Sequence, residues 1–464
     1  MIKVLNQYFP GRLFVLVLTE NVLILCGIWA AVAYNTGSVT LSLLGHPAVF
    51  GKIFLITAVC QICLYYADIY DLRSIGSKLE VLMRVLQALG VAALILASIF
   101  YVIPEVRLGE GIVEMSLIGI VLVILSWRIL IEWLNRAYGA GERILLVGAG
   151  AGVHKLTGEI RKRPDLPLTI VGAVAEEGMT AAERLPGVET VGNLDELGKI
   201  MQDIHPDRVI IALKERRLQL PIDLLLHYRM RGVLIEDSSA LYQKLTGKVP
   251  VESINPSSLI FTDGFSQSAV RKTLGRVVGF FVALVGSVIL GPLMLLVAIC
   301  IKLESKGPAL YRQVRVGKNG KDFEVFKFRS MRQDAEAASG PVWASASDPR
   351  VTKVGRLLRK LRFDELPQLI NVLRGDMAFV GPRPERPHFV KQLKEQIPFY
   401  DLRHSVRPGI TGWAQVSMHY GATVEDSLEK LEYDLFYIKN NSFSFDGLIL
   451  FQTIKIMLFG RGAR

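Results

Sequence analysis

The sequence is poor in cysteine and lacks several common catalytic signatures. Four cysteines in 464 residues exclude a disulfide-built secreted fold. Cys26, Cys60, Cys63 and Cys300 all lie in apolar runs, where a free thiol packs as a small hydrophobe. Cys60 and Cys63 form one CxxC, but there is no second pair to complete a zinc site. There is no histidine pair at metal-ligand spacing, no GxSxG and no GxxxxGK[ST], so serine hydrolysis and P-loop chemistry have no support. Charged residues make up only 21% against 51% hydrophobic, with a mean hydropathy of +0.35. That balance excludes disorder and a wholly soluble protein.

What is present begins with four apolar runs near residues 13–34, 48–66, 85–103 and 112–131. Each approaches the ~20 residues needed to cross a hydrocarbon core of about 30 Å. No small-residue cleavage site follows the first, which argues against a signal peptide. Lys3 and Arg12 precede the first run, and the 35–47 loop has no Lys or Arg. Arg73, Lys78 and Arg84 lie between the second and third runs, and Arg128, Arg136 and Arg143 accompany or follow the fourth. Positive residues stay inside, so the N-terminus, the 67–84 loop and everything after residue 132 are expected in the cytoplasm. Glu20 and Glu114 read either as intramembrane sites or as interfacial and helix-packing residues.

Residues 141–250 alternate strands and helices, which predicts a parallel α/β unit. Strands are expected at Arg143–Gly148, Leu168–Ala175, Arg208–Leu213 and Val233–Glu236, with helices to about Arg163 and over 195–204. The Gly148-Ala149-Gly150-Ala151-Gly152 turn could cradle a pyrophosphate on a helix N-terminus. The third glycine of GxGxxG would fall on Val153, with Glu176 the candidate ribose-binding acid, so a structural tight turn stands as the alternative. After a linker over 251–276 comes Val277–Cys300, 24 residues without a charge. Arg271, Lys272 and Arg276 precede it, and Lys302 and Lys306 follow it. Basic flanks on both sides predict a re-entrant helix broken at Gly291-Pro292. The alternative is a full span with a proline kink.

Residues 301–464 carry 27 Lys+Arg against 18 Asp+Glu, or +9 of the net +11. Such an excess suits an anionic membrane face or phosphate substrate, and no zinc-finger or RNP pattern points to nucleic acid. The mildly apolar 446–459 tract contains Lys455 and reads as interfacial, or as buried against the domain. The chemistry centres on Asp364-Glu365. Neighbouring carboxylates oppose each other's ionisation, a conflict that a divalent cation on one of them resolves while the other stays free to act. Leu366-Pro367 is expected to open an amphipathic helix, whose dipole would favour the ionised forms. A carboxylate can attack phosphorus, although such a dipeptide alone is most often a solvated cap. Its surroundings are cationic. Lys327 and Arg329 alternate with Phe326 and Phe328 as on a half-buried strand. Arg356, Arg359, Lys360 and Arg362 precede the pair, and Arg383 stands between two prolines. Lys327, Arg329 and Arg362 are assigned to phosphate binding on charge alone.

From Arg271 onward the sequence resembles the bacterial polyprenyl-phosphate phosphoglycosyl transferases of the monotopic superfamily. The resemblance rests on the membrane helix, KFRSM (Lys327–Met331), FDELPQLINVLRGDMAFVGPRPE (Phe363–Glu385) and VRPGITGWAQ (Val406–Gln415). Small members often have Ser-Pro where this chain has Gly291-Pro292. The whole layout is similar to long members that prime exopolysaccharide or O-antigen synthesis, most of all those of exosortase-associated clusters. The resemblance implies a membrane protein of α and α/β class. Four transmembrane helices (1–135) would be followed by a Rossmann-like domain (141–250), the re-entrant helix (277–300) and an α/β catalytic domain (301–464) at the inner face of the bacterial cytoplasmic membrane. It implies transfer of a sugar 1-phosphate from a UDP-sugar to undecaprenyl phosphate with release of UMP. Asp364 would be the nucleophile forming a covalent intermediate, Glu365 a Mg²⁺ ligand and Arg383 a uridine-side contact. A homodimer is expected. Two other readings are a nucleotide-sugar dehydratase, for which 141–250 lacks the Tyr-x-x-x-Lys pair, and a non-catalytic scaffold with a nucleotide-binding α/β domain.

Overall fold

A computed structural model describes residues 2–4, 7–9, 11–36, 47–70, 78–108, 112–138, 141–148, 151–163, 166, 168–176, 185–213, 220–253, 269–332, 350–418, 421 and 423–459. Arg73, Ala149, Gly150, most of the 35–47 loop and residues 254–268 of the expected linker lie outside them, as do the side chains of Lys3, Arg12, Glu114 and Arg136.

The four apolar runs form helices α1 (Gly11–Thr36), α2 (Pro47–Tyr66), α3 (Lys78–Val102) and α4 (Ile112–Tyr138). The first three are long and apolar enough to cross a membrane, and α4 has an apolar stretch over Met115–Ile131. Their shared core includes Ile24, Ile28, Ile56, Leu64, Leu96 and Ile124. Glu20 is wholly buried. Its carboxylate accepts from Tyr70 Oη at 2.5 Å and from Arg128 Nε at 2.8 Å, while Arg128 Nη1 donates to the Ile69 carbonyl at 3.1 Å. Glu20 is therefore a packing residue that ties α1, α4 and the turn after α2 together. Removing one member of such a buried pair costs about 3–5 kcal/mol.

The α/β unit follows the expected pattern. It comprises β1 (Glu142–Val147), α5 (Ala151–Arg161), β2 (Leu168–Ala175), β3 (Thr190–Asn193), α6 (Leu197–Ile204), β4 (Arg208–Ile211), α7 (Ile222–Met230), β5 (Leu234–Asp237) and α8 (Ser238–Thr246). The five strands are parallel in the order β3-β2-β1-β4-β5, the doubly wound arrangement. Gly148 has φ +91°, and a Cβ there would lie 2.6 Å from Glu176 Oε1 and 2.9 Å from the Ala212 carbonyl oxygen. The turn after β1 thus requires glycine, and Glu176 stands beside it at the end of β2. This unit is docked on the C-terminal domain: Val249 and Val251 belong to that domain's core, and Trp413 Nε1 donates to the Gly247 carbonyl at 2.9 Å.

Helix α9 (Ala269–Glu304) starts within the expected linker and is also long and apolar enough to span. It runs on through Gly291 and Pro292, so the helix expected to end there continues. Proline removes one amide donor, whereas ending the helix would free several backbone groups among apolar side chains, at greater cost. The same domain packs on it before and after Pro292. Ala283 is buried with Val325, Leu369 and Val372, and Val297 and Ile301 are buried with Phe328 and Leu358. The other face is exposed and apolar, including Val288, Ile289 and Leu295.

The remaining chain forms the antiparallel hairpin β6 (Leu310–Val316) and β7 (Asp322–Phe328), then α10 (Lys353–Leu361), a 3₁₀ turn (Phe363–Gln368) and α11 (Leu369–Arg374). After these come β8 (Ala378–Val380), α12 (Pro387–Gln396), a second 3₁₀ turn (Tyr400–Ser405) and β9 (Gly409–Thr411), which pairs in parallel with β8. The chain closes with α13 (Trp413–Ser417), α14 (Val424–Asn440) and α15 (Phe443–Phe459). Asn371, fully buried, ties α11 to β7: its Oδ1 accepts from the Phe326 amide at 3.0 Å and its Nδ2 donates to the Glu324 carbonyl at 2.6 Å.

Candidate active site

Asp364 and Glu365 occupy the 3₁₀ turn one step ahead of α11, after Arg362 has taken a left-handed conformation (φ 56°) to end α10. The helix expected to open at Leu366-Pro367 begins at Leu369, after the 3₁₀ turn, and has six residues. The charge of the pair is stabilised by side-chain cations rather than by a helix dipole. Glu365 Oε1 accepts from Arg383 Nη2 at 2.7 Å and from Lys327 Nζ at 3.3 Å, and Arg362 Nη1 is 3.9 Å from Oε2. Burial alone would raise the Glu365 pKa, but these three cations hold it well below the usual carboxylate range. Asp364 goes the other way. Burial and the neighbouring Glu365 charge raise its pKa, against the pull of Lys327, Arg359 and Arg383. No hydrogen bond among the described residues engages its carboxylate. Environments that push two carboxylates apart assign them different tasks: Glu365 is a fixed anion, and Asp364 is the more basic, unengaged group.

Three of the four expected cations therefore meet at the pair. Lys327 reaches it from β7, Arg362 from the end of α10 and Arg383 from the Pro382–Pro384 strap. Arg329 does not join them, which corrects its assignment to phosphate binding. It lies just past β7, is buried, and donates from Nη1 to the Lys306 carbonyl at 2.7 Å and from Nη2 to the Ser305 carbonyl at 2.8 Å. A guanidinium that satisfies the carbonyls at the end of α9 is a helix cap. Strand alternation alone had placed it beside Lys327, but β7 ends at Phe328 and the two side chains go separate ways.

Sequence reasoning missed the residues that hold Arg383 in place. Arg403 is buried against Asp434, with Nη2 to Oδ2 at 2.7 Å and Nε at 3.1 Å, and its Nη2 also donates to the Arg383 carbonyl at 3.0 Å. Glu385, two residues on, pairs with Arg315 at 3.4 Å and with Lys430. Buried ion pairs between segments far apart in sequence leave no local pattern to read. The strap is also set by close backbone approach. A Cβ on Gly381 would lie 2.4 Å from the Arg407 carbonyl oxygen, and one on Gly409 would lie 2.1 Å from the Gly381 nitrogen.

Beside the pair opens a cavity of about 760 Å³. Glu365 and Arg362 line it together with apolar residues of α9, such as Val278 and Val282, and of α15, such as Leu450 and Ile454. A polar, phosphate-sized cation cluster thus adjoins a largely apolar channel next to a helix with an exposed apolar face. The arrangement can hold a phosphorylated polar group and an apolar chain beside the carboxylate pair.

Comparison with known proteins agrees with this construction. The family described as bacterial sugar transferase matches residues 270–460, and the family described as CoA-binding domain matches residues 66–219. The undecaprenyl-phosphate glucose phosphotransferase of Komagataeibacter xylinus is 34% identical over 402 residues, which cover 79% of this chain and 72% of that protein. The UDP-glucose:undecaprenyl-phosphate glucose-1-phosphate transferase of Escherichia coli (strain K12) is 35% identical over 350 residues, 73% of this chain and 72% of that protein. Over the shorter span of 222 residues, 48% of this chain and 52% of the relative, identity reaches 46% with the UDP-N-acetylgalactosamine-undecaprenyl-phosphate N-acetylgalactosaminephosphotransferase of Aeromonas hydrophila. With its membrane helices, parallel α/β unit and clustered Asp364-Glu365 site, the chain belongs to the bacterial sugar transferase family.

Proposed function

We propose that this protein transfers a sugar 1-phosphate from a UDP-sugar to undecaprenyl phosphate, releasing UMP and priming polysaccharide assembly. The observation that carries the reading is the asymmetry of the pair: Glu365 is locked by three cations, while Asp364 is unengaged and more basic. In the first step an Asp364 carboxylate oxygen attacks the phosphorus that bears the sugar, and the bond to UMP breaks. In the second, an oxygen of the lipid phosphate attacks the same phosphorus and Asp364 is released. Covalent catalysis lets a soluble nucleotide sugar and a lipid react in turn.

Magnesium fits this site as a shared ion. It is usually held by one or two carboxylates together with substrate phosphates, and no larger group of acidic, histidine or cysteine ligands occurs among the described residues. Glu365, which keeps lone pairs on Oε2, would hold it, and the ion would neutralise charge developing on the diphosphate. Lys327, Arg362 and Arg383 orient the phosphates. The orientation proposed for the domain is cytoplasmic. Basic residues flank the apolar stretch of α9 on both sides, Arg271, Lys272 and Arg276 before it and Lys302 and Lys306 after it, which supports placing the domain on the cytoplasmic side.

The test is UMP release by purified protein given undecaprenyl phosphate, Mg²⁺ and a panel of UDP-sugars. Lipid-dependent UMP from one sugar, lost with chelator and reduced at least about 1,000-fold in Asp364→Asn, is the expected result. Undiminished UMP in Asp364→Asn would contradict it.

A further inference from the structure

Arg276 and Arg407 line the cavity beside Glu365 and Arg362, yet neither is used in the chemistry above. Arg276 caps the end of α11 by donating to the Val372 and Leu373 carbonyls at 3.1 and 3.2 Å, and no carboxylate among the described residues pairs with it. Arg407 has no carboxylate partner among the described residues. The two guanidiniums are close enough that burial and the Arg276 charge together lower the Arg407 pKa. Two other cations of the cavity are balanced, Arg271 by Asp446 at 3.3 Å and Arg362 by Glu365, while Lys272 and Lys318 also stand in its lining. Two neighbouring cations with no internal counter-charge repel each other and are costly unless an anion joins them. They are also firmly placed. Arg407 precedes Pro408 on the segment leading into β9, whose backbone packs on Gly381 and pairs with β8, so it is braced against the strap that carries Arg383.

We propose that Arg276 and Arg407 form a second anion seat, which takes the phosphate of a long-chain lipid phosphate while its chain lies along α9 and α15. The occupant follows from charge and walls together. The seat needs an anion, and the walls beside it are apolar: Val278, Val282, Leu450 and Ile454 are in the lining. Val278, Val282, Leu450 and Ile454 are also partly exposed on helices α9 and α15, so the channel is reached from an apolar phase. A nucleotide would leave those walls unmatched. The seat deepens the transferase reading, on which it depends only for naming the lipid. It separates the acceptor's phosphate from the donor's, which the Lys327, Arg362 and Arg383 cluster serves.

The test is equilibrium binding of labelled undecaprenyl phosphate to the full-length protein in detergent, without sugar nucleotide. Arg407→Gln should weaken binding about tenfold or more, the scale of one charge-assisted hydrogen bond. Arg407→Lys should restore part of it, and UMP affinity should stay within about twofold. Ile454→Trp, which fills the channel and leaves the cations in place, should weaken undecaprenyl phosphate and undecaprenol alike. Inorganic phosphate should compete poorly because it has no chain. Unchanged lipid-phosphate binding in a folded Arg407→Gln protein, or an equal loss of UMP affinity, would overturn the seat. A protein that binds the lipid through Arg407 yet transfers no sugar phosphate would instead sink the transferase reading and leave the seat standing.

Discussion

At the scale of single residues, the proposed chemistry rests on the different environments given to two adjacent carboxylates. Asp364, Glu365, Lys327, Arg362 and Arg383 were legible because acidic and basic residues in unusual local company are visible in a sequence. Arg403 and Asp434 were not, since their value lies in a contact between distant segments. His404 shows how that support responds to acid. Burial, with Arg403 alongside, pushes its imidazole down to about 4, against about 6.5 for a free histidine. The unfolded chain therefore takes up the proton first, and stability is lost as pH falls from about 6.5 toward 4. The melting temperature should drop between pH 7 and 5, and His404→Gln should flatten that drop. An unchanged profile in the variant would show that other groups carry the acid response.

Among the elements, helices and strands with strong periodicity emerged nearly where the pattern put them. Four of the five α/β strands match within one or two residues, because buried parallel strands are near-continuous apolar runs, whereas the short edge strand Thr190–Asn193, with no apolar run, was not expected. Two features were less legible. Proline and glycine at 291–292 signal a weak point, yet packing on both sides keeps α9 helical through it. The helix expected from Leu366-Pro367 starts only at Leu369, because the preceding turn is 3₁₀, and Gly375 at φ 89° closes it. The junction between α10 and the KFRSM segment is equally specific. A Cβ on Gly355 would fall 2.1 Å from the Ser330 carbonyl oxygen, and Arg359 Nε donates to Ser330 Oγ at 3.0 Å. Gly355→Ala should push α10 off this segment at a cost of about 1–3 kcal/mol and displace Arg362 with it. Thermal unfolding and transfer activity should fall together, and a variant with wild-type values for both would show that the contact relaxes freely.

Across the whole molecule, α15 joins the membrane bundle to the site. Phe451 stacks against Tyr65 and Tyr66, with ring centroids 5.1 and 5.0 Å away, and Lys455 pairs with Asp68. Leu450, Ile454 and Met457 of the same helix line the cavity. The N-terminal bundle therefore braces one wall of the channel, a role hidden in the sequence because the partners stand almost 400 residues apart. Phe451→Ala should raise the KM for the lipid phosphate several-fold and change that for the sugar nucleotide less. An equal rise in both would point to general loosening. The central claim remains the covalent use of Asp364. Its most direct test is the mass of the peptide containing Asp364 after the protein meets its UDP-sugar without lipid. A gain of one phosphosugar is expected, absent in Asp364→Asn and discharged by undecaprenyl phosphate. UMP formed only when both substrates are present, with no adduct at any time, would contradict it.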